Sequence, residues 1–66
     1  HYSDRHNDGV EEYIFVVKGK LDVTLNNRTI TLKEQQAIRF EANIPHAYIN
    51  LYDEICCVYN TIFYKE

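Results

Sequence analysis

The sequence predicts an all-β domain of about six antiparallel strands, joined by short links and closed as a barrel or sandwich. Three observations predict it. The 66 residues contain six Tyr and three Phe along with many Val, Ile and Thr, residue types that suit a pleated, half-buried surface. Several short runs alternate apolar and polar residues with a period of two. Turn signals punctuate those runs, and no segment carries a credible helical period.

Residues 1–9 are polar and end in the turn signal Asn7-Asp8-Gly9. Val10 to Lys18 reads as a strand, buried on both faces near its middle. Gly19 then permits a tight turn or bulge. Leu21, Val23 and Leu25 alternate with Asp22, Thr24 and Asn26, which marks a half-buried strand. Asn26-Asn27 supplies the positive φ that two-residue hairpin turns demand. The chain returns through Arg28 to Leu32, with Ile30 and Leu32 on one face. After a polar link, Ala37 to Phe40 forms a short strand. A loop from Glu41 to Ile44 leads to Pro45, which places a strand start or edge. His46 to Leu51 is the next strand, Tyr52-Asp53-Glu54 a turn, and Ile55 to Tyr64 the last strand.

Length and charge bound the function. A chain of 66 residues is one domain, residues 1–66, and a core this small supplies only about 3–5 kcal/mol of net stability. The first residue is His, not Met, which suggests a segment of a longer chain. The net charge is −3 with acids and bases interspersed. Gripping phosphates needs clustered Lys and Arg, so any DNA contact is expected from another domain. Cys56 and Cys57 are adjacent, and strand neighbours point to opposite faces. They read as reduced thiols rather than a disulfide. No apolar run is long enough to span a membrane, and the expectation is a cytoplasmic protein with no membrane partner.

Strand parity points to a shared interior site. If Glu12 faces inward, so do Ile14 and Val16, while Glu11 faces away. His46, Tyr48 and Asn50 share one face of the later strand. Burying such groups without partners costs roughly 1–3 kcal/mol each, so they should face one another, water or a ligand. Asn50 is expected to tie down backbone near His46. No catalytic residue stands out.

These residues resemble the two signature motifs of the cupin family. His6, Glu12 and Gly19 match the first motif, with Asp8 where the family's second His stands. His46 and Asn50 match the second motif. Gln35 replaces its opening Gly, and Glu41 and Asn43 stand at its Pro and Gly positions. The stretch from Gly9-Val10-Glu11-Glu12-Tyr13 to Pro45-His46-Ala47-Tyr48-Ile49-Asn50 is most similar to C-terminal cupin domains of Xre-type helix-turn-helix regulators.

The resemblance implies a cupin-type antiparallel β-barrel, or jelly roll, incomplete in this chain. It implies a metal-ligand set of His6, Asp8, Glu12 and His46, suited to Fe, Mn, Ni or Zn. Glu12, His46 and Tyr48 would contact a small ligand. The leading expectation is a small-molecule or metal-sensing domain of a homodimeric regulator whose DNA-binding helix-turn-helix domain precedes His1. The alternatives are a small metal-dependent dioxygenase or isomerase, and a cupin that serves only structure or dimerisation.

Overall fold

The computed structural model describes residues 9–64. It contains six strands: β1 (Val10–Lys18), β2 (Leu21–Leu25), β3 (Arg28–Leu32), β4 (Ala37–Glu41), β5 (His46–Ile49) and β6 (Cys57–Tyr64). They form two three-stranded antiparallel sheets with orders β4-β1-β6 and β3-β2-β5. The chain is all-β, as expected, and the two sheets share one core in a jelly-roll arrangement. Ile14 and Val16 of β1 and Phe40 of β4 meet Leu21 and Val23 of β2 and Leu32 of β3. Ile14, Val16 and Val23 are fully buried, each worth roughly 1.5–3 kcal/mol of transfer free energy.

The period of two fixes which side chains point in. Glu12, Ile14 and Val16 lie on the buried face of β1. The expectation that β1 is buried on both faces is corrected. Tyr13 and Phe15 are half-buried and Val17 is exposed, on the face of β1 turned away from the core that the two sheets share. Phe15 stacks on Tyr59 of β6, with ring centroids 6.5 Å apart. Arg39 of β4 binds Glu11 at 2.6 Å and lays its guanidinium over Phe63.

Three connections between strands use left-handed backbone. Asn26 has φ 57° in the β2–β3 turn, where its short polar side chain tolerates that conformation. Gly19 has φ 88°, beside an irregularity where the β1–β6 register shifts between Val16 and Lys18. Gln35, at the position where the family's second motif opens with Gly, also takes positive φ, 69°. Its N–H donates to the Val16 carbonyl at 2.7 Å. The backbone conformation that a glycine would favour is therefore kept by a residue that carries a Cβ.

Two strands are shorter than expected. β5 stops at Ile49 and β6 starts at Cys57. Asn50 is the cause at the first boundary. Its Oδ1 accepts the Tyr52 N–H at 3.0 Å and its Nδ2 donates to the Glu54 carbonyl at 3.1 Å. Such local side-chain bonds compete with a sheet ladder. Asn50 therefore ties down the 50–54 turn rather than backbone beside His46. Every residue of β6 is exposed, and β6 is an edge strand of its sheet.

Candidate functional site

Three of the expected site residues converge between the sheets. Glu12 enters from β1, where its cross-strand neighbours are Phe40 and Ile62. His46 and Tyr48 enter from β5, opposite Leu25 and Val23 of β2. Because Val23 is fully buried, its partner Tyr48 lies on the inner face, and so does His46 two residues earlier. His6 and Asp8 lie outside the described residues.

The hydrogen bonds give each group a defined role. The Tyr48 hydroxyl donates to Glu12 Oε1. Glu12 Oε2 faces His46 Nε2 at 3.8 Å. His46 Nδ1 lies 2.8 Å from the Ile44 carbonyl. A carbonyl oxygen only accepts, so Nδ1 carries the hydrogen, and in the neutral ring Nε2 keeps its lone pair. The ring packs against two tilted aromatic rings, with Phe40 5.1 Å away and Tyr48 5.8 Å away between centroids.

Glu12 is 9% exposed, deep enough that an unpaired carboxylate would be costly. Tyr48 supplies the needed donor. Burial, that hydrogen bond and the negative charge of Glu12 push the Tyr48 phenol well above its ordinary value. The hydroxyl therefore remains a donor through the neutral range. Burial, and then the neighbouring Cys57, push the Cys56 thiol up as well. Both cysteines are free.

The donor chemistry fits a divalent transition ion at one imidazole nitrogen and one carboxylate oxygen. The 3.8 Å between them is less than two metal–ligand bonds end to end, about 4.2 Å. One ion can touch both without the strands moving apart. Among the described residues no group of three or more His, Cys, Asp or Glu side chains is placed to hold a metal.

Sequence reasoning missed the two groups that orient His46. Phe40 flanks its ring, and the Ile44 carbonyl fixes its tautomer. The signal for the second was Pro45 between them, since the residue before a proline is biased to extended backbone.

A family model described as a cupin domain matches residues 1–62. The chain belongs to the cupin family. This cupin is 31% identical over 64 residues to the HTH-type transcriptional regulator SutR of Escherichia coli strain K12, which covers 97% of this chain and 36% of that protein. It is 31% identical over 52 residues to the polyketide synthase CurC of Streptomyces cyaneus, covering 79% of this chain and 34% of that protein. The chain thus spans about a third of the length of these relatives. No solved structure matches it. No helix among the described residues is long and apolar enough to cross a membrane.

Proposed function

We propose that this cupin is the sensor domain of a DNA-binding transcriptional regulator, and that it reads a divalent metal or a small polar effector at Glu12, His46 and Tyr48. The observation that carries the regulator reading is the likeness to SutR over nearly the whole chain. The site supports sensing because its two halves belong to different sheets. Glu12 comes from the β4-β1-β6 sheet, and His46 and Tyr48 from the β3-β2-β5 sheet. An occupant held by both stabilises one spacing of the sheets over others. Such differential affinity is all that a ligand needs to shift a population.

In the full protein His6 and Asp8 would complete the ligand set with Glu12 and His46. A bound metal would supply a positive charge and open coordination positions. The chain's own residues do the rest. Ile44 and Phe40 hold the His46 ring, and Tyr48 holds one oxygen of Glu12. The partners of this reading are a second copy of the chain, DNA through a separate helix-turn-helix domain, and the effector, in the cytoplasm.

The alternative is a small metal-dependent enzyme, a dioxygenase or isomerase, and it draws on the metal-ligating residue types Glu12 and His46 that face each other. The deciding experiment measures binding of the full-length protein to its own upstream DNA by fluorescence anisotropy. It is run with and without Fe(II), Mn(II), Ni(II), Zn(II) and a metabolite panel. The sensor reading expects sequence-specific binding that changes by about 5-fold or more with one ligand, the low end of ordinary allosteric coupling. A full-length protein that binds no DNA sinks it.

A further inference from the structure

Glu12 and His46 share an unusual symmetry. Each uses one atom to anchor itself and leaves the other facing its neighbour. Oε1 of Glu12 is taken by the Tyr48 hydroxyl, and Nδ1 of His46 by the Ile44 carbonyl. Oε2 and Nε2 remain, facing each other across 3.8 Å. In the neutral ring these are two lone pairs with no hydrogen between them. A metal ion, a hydrogen-donating ligand or a proton taken up at Nε2 can bridge the two.

We propose that Tyr48 is a positioning residue for a divalent transition ion, holding Glu12 so that only Oε2 is presented to the ion beside His46 Nε2. The proposal rests on the metal-sensing reading above.

The terminal torsion of a glutamate is broad and two-fold, so a carboxylate without an anchor can present either oxygen or both. The Tyr48 bond removes that freedom. Tyr48 suits the task for three reasons visible in the fold. It donates without bringing a positive charge that would repel an ion. It lies two residues after His46 on the same face of β5, so the anchor of one ligand and the other ligand share one strand. Its ring also packs beside that of His46, which couples the two orientations. Presenting one oxygen also shapes selectivity. Calcium sites commonly use a carboxylate through both oxygens, whereas one oxygen beside an imidazole suits first-row transition ions.

The test titrates Co(II) and Zn(II) into the metal-stripped full-length protein. Affinity is read by competition with a chromophoric chelator, and coordination by the visible spectrum of Co(II). Tyr48→Phe removes only the hydroxyl and keeps the ring against His46, and a melting curve confirms folding. Groups that anchor a ligand from behind typically account for 10–100-fold in metal affinity. Tyr48→Phe is therefore expected to bind the same number of ions 10–100-fold more weakly, with altered Co(II) bands, while Glu12→Gln and His46→Ala lose the site.

If Glu12→Gln and His46→Ala lose the metal but Tyr48→Phe keeps wild-type affinity and spectrum, the positioning role is overturned and the metal site stands. Wild-type protein that takes up no ion, or Glu12→Gln and His46→Ala variants that bind as wild type, overturns the metal reading and the role of Tyr48 with it.

Discussion

Gly19→Ala should remove a large share of the stability of this domain. Gly19 sits at φ 88°, and a Cβ there would lie 2.8 Å from the Ile55 carbonyl oxygen and 3.2 Å from Cys56 Cα. Both are backbone atoms in the segment that enters β6, so no rotamer change relieves the overlap. Left-handed backbone costs an L-residue about 1–2 kcal/mol. Forcing packed atoms apart costs about 1–3 kcal/mol. Loss of unfolded-chain freedom returns only about 0.4–1 kcal/mol. The net is a destabilisation of about 1–5 kcal/mol, centred near 3, against the roughly 3–5 kcal/mol that a core this small provides. Urea denaturation followed by far-ultraviolet circular dichroism measures it. Gly19→Asn separates the two contributions, because Asn tolerates the dihedral but carries the same Cβ. If the close approach dominates, Asn is nearly as damaging as Ala. A Gly19→Ala protein within about 0.5 kcal/mol of wild type, the ordinary range for surface substitutions, would refute the reasoning.

Three other expectations follow from the geometry. Tyr48 holds its proton more tightly folded than unfolded, so its contribution is complete below about pH 10, the ordinary phenol value, and is lost as pH rises past it; denaturation midpoints of wild type and Tyr48→Phe should converge across that alkaline range. Gln35→Gly should stabilise the domain by up to about 1 kcal/mol, because it relieves a left-handed Cβ at φ 69° while giving back part of the gain in unfolded-chain entropy; a lower midpoint in urea would mean that the Gln35 side chain contributes more than its exposure suggests. Strand β6 offers eight exposed residues without a charge, and charges on an edge strand block edge-to-edge pairing, so Thr61→Lys should reduce concentration-dependent association in sedimentation velocity. A Thr61→Lys sample that associates as strongly as wild type would rule out that edge as the contact.

Periodicity made most of the architecture legible, and its failures have physical causes. The hairpin of β2 and β3 and the inward set Glu12, Ile14 and Val16 followed from a period of two, which burial enforces on one face. The ends of β5 and β6 did not, because Asn50 closes a local turn through its own amide. No alternation of apolar residues reports that choice. Convergence of Glu12, His46 and Tyr48 was legible from parity. Their individual roles were not, because they depend on which atom of each side chain is occupied. The left-handed backbone at Gln35 was hidden because the residue that usually signals it is missing there.

The β2–β3 hairpin turn has a reach that its surface position conceals. The Asn26 N–H donates to the Pro45 carbonyl at 2.8 Å, and Pro45 directly follows Ile44, whose carbonyl sets the His46 tautomer. Proline narrows Ile44 to extended backbone, and Asn26 pins the proline from the opposite side. The left-handed dihedral at Asn26 thus serves as a strut for the imidazole of the residue that follows the proline it touches. A redesign that optimised this turn for stability alone would be retuning the chemistry of His46 from a residue that touches it only through the proline.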